Sequence, residues 1–136
     1  MRFFLDNTMS HHLAEAVAGL ELAQEADGHQ VIHLSARFPR NTPDIVWITE
    51  LGREGEWVII SGDLRISRNK AERAAWRESG LTAFFLKDAW AYQKIWAFAS
   101  RFLFWWPLIV AQASMAREGK GFLVPWGGQR FDDVPT

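Results

Sequence analysis

The chain contains no cysteine. That absence excludes a disulfide framework, a thiolate nucleophile and any cysteine-ligated zinc or iron–sulfur centre. A glycine-rich phosphate loop is also missing, and neither Ser10 nor Ser61 sits in a nucleophile elbow. No clean membrane segment exists. Residues 95–116 reach the about 20 apolar residues that a spanning helix requires only by admitting Ser100, Arg101, Gln112 and Ser114, with Pro107 near the middle. The first apolar run is cut at Asp6, too early for a signal-peptide core, so a cytoplasmic chain that does not enter a membrane is expected. Net charge is nearly absent too, with 15 basic residues against 16 acidic ones.

What is present is distributed unevenly. Residues 1–63 carry four arginines against ten carboxylates, net −6, and residues 64–136 carry eleven basic residues against six carboxylates, net +5. An acidic front and a basic back suit a cation on one side and a polyanion on the other. Eight tryptophans, five of them from Trp90 to Trp126, and a hydrophobic share of 49% in 136 residues supply a real core for one domain.

Strand and helix signals alternate. Residues 2–5 read as a buried strand ending at Asp6, and Ser10 caps a helix from His11 to about Gln24. Asp27-Gly28-His29 reads as a turn, and Glu21 and Glu25 as helix surface. A second strand covers 30–34. Thr42-Pro43-Asp44 starts a helix to about Glu54, with Thr42 as cap and an acid beside the positive helix end. Residues 57–60 form a third strand closed by Ser61-Gly62-Asp63. Asn69-Lys70-Ala71-Glu72 has the form of a capping box opening a helix to Ser79. Residues 81–86 form a fourth strand, 92–117 a helix bent or split at Pro107, 122–124 a short last strand, and 127–136 a loose tail. Strands apolar on both faces and alternating with helices predict an α/β fold of three layers, a mostly parallel central sheet flanked by helices, in a single domain over 1–136.

In such a sheet the site lies at the carboxyl ends of the strands. Asp6 ends strand one, Asp63 ends strand three, and Asp44 opens the helix after strand two. Three carboxylates gathered at one edge repel one another unless a cation neutralises them. Oxygen ligands without cysteine favour Mg²⁺ or Mn²⁺, which activate water and stabilise a phosphodiester in transit. Each acid also has a plainer reading: strand-end cap for Asp6, helix-dipole acid for Asp44, turn residue for Asp63. Asn7 and Ser61 are supporting candidates beside Asp6 and Asp63.

Arg65, Arg68, Lys70 and Arg73 follow Asp63 directly and suit phosphate contacts, although a solvated helix face explains them equally well. His11 and His12 are adjacent, point different ways on a helix and are not read as a metal pair. Phe98, Phe102, Trp105 and Ile109 recur at helical spacing as core, and the apolar excess of their helix predicts a homodimer face.

In order, Phe3-Phe4-Leu5-Asp6-Asn7, a Leu/Ala helix, the run from Gly28 to Leu34, Asp44-Ile45-Val46-Trp47-Ile48 and Val58-Ile59-Ile60-Ser61-Gly62-Asp63 resemble the compact PIN-like domains. Within them the chain is most similar to the VapC-type toxins of toxin–antitoxin pairs. The resemblance covers about residues 2–90. It implies a PIN-type fold, Mg²⁺- or Mn²⁺-dependent cleavage of RNA and a cognate antitoxin protein as partner. By the same resemblance Asp6 matches the first-strand acid, Asp44 the helix-start acid and Asp63 the acid of the Ser/Thr-x-Asp turn. The family's fourth acid has no counterpart at Leu64, Arg65 or Ile66. Glu72 or Asp88 is a substitute, with capping as the alternative for Glu72. The short acid set also admits a catalytically impaired PIN-like module that works by association. A receiver-like fold stands further off, because it needs paired acids after strand one and this chain has Asp6-Asn7.

Overall fold

The computed structural model describes residues 1–24 and 28–135. Glu25 and Asp27, assigned above to helix surface and turn, lie outside the described residues. The strands are β1 (Arg2–Leu5), β2 (Gln30–His33), β3 (Trp57–Ser61), β4 (Thr82–Leu86), β5 (Gly121–Val124) and β6 (Asp132–Asp133). The α-helices are α1 (His11–Leu22), α2 (Asp44–Glu54), α3 (Arg65–Arg68), α4 (Lys70–Ser79) and α5 (Ile95–Met115), with 3₁₀ turns at Leu34–Ala36 and Asp88–Tyr92. The strands form one sheet in the order β2-β1-β3-β4-β5-β6, parallel except for the last pair. The three-layer α/β expectation therefore holds.

Successive strand residues face opposite sides, so each strand feeds two cores. Phe3, Leu5, Val58, Ile60, Phe84 and Leu86 pack on one face with Leu13 and Val17 of α1 and Phe102, Trp105 and Ile109 of α5. Phe4, Ile59, Ala83 and Phe85 pack on the other with Trp47, Ile48 and Leu51 of α2, Ile66 of α3 and Trp76 of α4. Of the α5 stripe, Phe102, Trp105 and Ile109 are fully buried within the chain itself and Phe98 is packed against them. Those side chains serve the core and are not left for a dimer face. On the opposite face Gly121 makes room for Trp76 of α4, because a Cβ there would stand 2.4 Å from the Trp76 ring.

Several local expectations need correction. α5 is not split at Pro107 but runs through it as one helix. The residue capping α2 is Pro43, while the Thr42 hydroxyl donates back to the Pro39 carbonyl at 2.6 Å. The capping box at α4 does not form. The short helix α3 takes the Asn69 N–H onto the Arg65 carbonyl at 2.7 Å, and the Asn69 side chain makes no capping bond. Residues 127–136 are not a loose tail over their described length. Asp132 and Asp133 pair with Leu123 and Phe122, Val134 is buried, Lys87 pairs with Asp132, and the Arg73 guanidinium donates to the Pro135 carbonyl. Glu21 is not helix surface either. It is buried, and although burial opposes its charge, the His29 N–H at 3.0 Å, the Trp106 indole at 2.7 Å and Gln24 at 2.8 Å outweigh that and lower its pKa.

Candidate metal and phosphodiester site

The strand order reverses between β1 and β3, and in open parallel sheets the crevice at such a reversal, beyond the carboxyl ends, is where ligands bind. Asp6 follows β1 there and is 2% exposed. Its N–H continues the ladder to the Ile60 carbonyl at 3.1 Å, which fixes the backbone before the side chain is placed. Its Oδ1 accepts from the Thr8 N–H at 3.0 Å and from the Thr8 hydroxyl. The same hydroxyl oxygen accepts the Gly62 N–H at 2.7 Å, so Thr8 ties the end of β1 to the turn after β3. Only glycine permits this approach, since a Cβ on residue 62 would lie 2.9 Å from the Thr8 hydroxyl. Asp63 is thereby held near Asp6, and its charge adds to the shift of the Asp6 carboxyl.

Burial is the largest cause of that shift. It pushes the Asp6 pKa up to about 6, against hydrogen bonds from Ser61 and Thr8 that favour the anion. A buried carboxylate with a second one beside it is costly without a counter-charge. Asp63 has its own partner: its Oδ1 accepts the Arg65 N–H at 2.9 Å and its Oδ2 the Arg65 Nε–H at 3.1 Å.

A cleft of about 360 Å³ opens at this edge, lined by Asp6, Asn7, Thr8, Arg40, Asp44, Arg65 and Glu72 among others. Asp44 stands in the first turn of α2, aimed by the indole of buried Trp47, which donates to Oδ1 at 3.0 Å. Glu72 enters from the first turn of α4. Burial, then the Asp44 charge, raises its pKa, with Arg65 opposing, and its Oε2 is buried without a hydrogen-bond partner. Because α3 has already used the Asn69 N–H, the Glu72 carboxyl is released from capping and turned into the cleft. A larger hollow of about 700 Å³ lies at the opposite, amino edge of the sheet, where Arg2, Trp57 and Thr82 line it. Among the described residues its acids are Glu56 and Glu118.

Asp6, Asp44 and Glu72 thus share one cleft, with Asp63 beside Asp6. Asn7 lines it, and Ser61 is fully buried behind it, its hydroxyl oxygen 3.2 Å from the Asp63 carbonyl. The basic candidates divide. Arg65 lines the cleft, whereas Arg68 and Arg73 line a separate hollow with Leu123 and Pro135. Arg73 donates to the Ser67 and Pro135 carbonyls and braces the C-terminal segment. Lys70 is exposed at the start of α4 and outside the cleft. Asp88 begins the turn after β4 and does not line the cleft. Arg40 and Thr8 went unnoticed in the sequence. Arg40 is one residue in a loop without periodicity, and Thr8 carried no signal beyond standing two residues after Asp6.

The donor set tests well against a divalent cation. The cleft presents carboxylate oxygens, one buried oxygen lacks a partner, and no cysteine competes. A family model described as a PIN like domain matches residues 1–88, well over half of the chain, and the chain belongs to that family. The family is nuclease-type and generally uses divalent metals. No curated protein and no solved structure matches the chain. No helix among the described residues is long and apolar enough to cross a membrane.

Proposed function

We propose that the chain is a Mg²⁺- or Mn²⁺-dependent endoribonuclease, the toxin of a toxin–antitoxin pair. The observation that carries the enzymatic part is the meeting of Asp6, Asp44 and Glu72 in one cleft at the strand-order reversal, with a buried, unpartnered carboxylate oxygen among them. Asp6, Asp44 and Asp63 would hold the cation, and Glu72 supplies the fourth acid that Leu64, Arg65 and Ile66 do not. When bound, the cation lowers the pKa of an attacking water and stabilises charge on the phosphodiester. Thr8 and Ser61 hold Asp6 in place, and the Trp47 indole holds Asp44. Arg65 and Arg40 meet the flanking phosphates at the rim of the cleft. Glu72 in the cleft supports the active enzyme over an impaired module.

Cleavage of a labelled single-stranded RNA tests this directly. Wild-type protein is expected to cut it with Mg²⁺ or Mn²⁺ and to stop on chelation, and Asp6→Asn to be inactive while folded. Cutting at the wild-type rate by Asp6→Asn would sink the proposal. The toxin role rests on the resemblance to VapC-type chains. It predicts cytoplasmic action, growth arrest on induced expression of wild type but not of Asp6→Asn, and relief by an antitoxin protein.

A further inference from the structure

At the start of α1, well outside the acidic set, three ligand atoms converge. One ring nitrogen from each of His11 and His12 and a carboxylate oxygen of Glu15 all lie within 4.8 Å of one another. Adjacent helical residues diverge, which made the histidine pair unpromising in sequence. The structure corrects this: the two rings lie 3.9 Å apart, centroid to centroid, tilted by 40°. Glu15 completes the group because it stands four residues after His11 and three after His12, the two spacings at which helical side chains meet.

The three groups are close enough for an ion pair between His11 and Glu15 but are not hydrogen-bonded to one another. His11 Nδ1 is 3.6 Å from Glu15 Oε1, beyond a hydrogen bond. His33, whose ring centroid is 6.0 Å from that of His11, is already engaged: Nδ1 contacts Ser35 and Nε2 bonds the Met9 carbonyl at 2.8 Å. It therefore stays out of the ligand set and braces the segment leading into α1. His12 and Glu15 are exposed and His11 is half-buried, so the group is open to solvent.

We infer that His11, His12 and Glu15 form a second cation site, built for a borderline transition cation of the Zn²⁺ kind. Two imidazoles with one carboxylate select such ions over Mg²⁺, which prefers oxygen alone. Three protein ligands leave a coordination position for water or for a further group. The helix N-terminus disfavours a cation, but at an exposed end this costs at most about fivefold in affinity, and the Glu15 charge opposes it. The site is independent of the nuclease reading and of the carboxylates at the strand ends.

Calorimetric titration of the full chain, freed of any affinity tag, with ZnCl₂ in excess Mg²⁺ tests it. Wild type is expected to bind one Zn²⁺ per chain. His12→Gln and Glu15→Gln, both at exposed positions, should each weaken binding at least about tenfold, and Asp6→Asn should leave it unchanged. Absence of saturable binding, wild-type affinity in both variants, or loss of binding in Asp6→Asn would each overturn the assignment.

Discussion

The carboxyl of Glu72 stands against that of Asp44 in one cleft, although the two belong to different helices, and the Asp44 charge raises the Glu72 pKa. Two acids so placed share a proton or a cation. Glu72→Gln is therefore expected to reduce RNA cleavage by about 10²-fold or more, with the fold intact by circular dichroism. Asp88→Asn, outside the cleft, should cut RNA at the wild-type rate. Equal activity in both variants would remove Glu72 from the site.

Asp6 sets a pH dependence. Its folded pKa of about 6 lies above the ordinary value of 3.8, so the folded state binds this proton more tightly than the unfolded one. Stability from this group is present below pH 4, declines as pH rises toward 6, and the total loss is about 3 kcal/mol. In chelator, the difference in urea-derived stability between Asp6→Asn and wild type should grow in favour of the variant over that window. At pH 7 Mn²⁺ should raise the melting temperature of wild type more than that of the variant. A pH-independent difference would contradict the burial argument.

The basic residues separate by role. Arg65→Ala and Arg40→Ala should weaken binding of single-stranded RNA, each lowering the salt slope by about 0.7. Arg73→Ala should leave the slope unchanged. Its cost falls on stability instead, because its guanidinium holds the carbonyls of Ser67 and Pro135. Binding isotherms at several salt concentrations, beside urea midpoints, distinguish the two patterns.

Gly62→Ala probes the tie between the strand ends. A Cβ at that position meets the Thr8 hydroxyl at 2.9 Å and the Thr8 carbonyl at 3.1 Å. The variant should lose about 1–3 kcal/mol in denaturant unfolding and cut RNA more slowly, because Asp6 and Asp63 are pushed apart. Wild-type activity in a destabilised variant would show that the tie serves the fold alone.

The frame was readable because buried parallel strands write themselves as apolar runs, and Asp6 and Asp63 stop two of them. Asp44 was readable from Pro43 and the helix that follows. Glu72 was seen as a candidate but remained ambiguous, since Asn69 and Glu72 have capping-box spacing. Only the presence of α3, four residues long and without sequence periodicity, decides between the two roles. β6 escaped notice because Asp132-Asp133 has no strand propensity and is ordered by pairing with β5. The histidine group was not legible because adjacent helical residues diverge, and Glu15 meets them only when the first turn of α1 has formed. The motif is legible as His-His-x-x-Glu once the helix is known.

The most direct measurement is anomalous difference density from a crystal soaked in Mn²⁺. The account predicts a peak in the cleft at the carboxyl edge of β1 and β3, within coordination distance of Asp6 and at least one of Asp44, Asp63 and Glu72. A crystal that stays without a peak among these carboxylates at saturating Mn²⁺, or that holds its only peak at His11, His12 and Glu15, would contradict it.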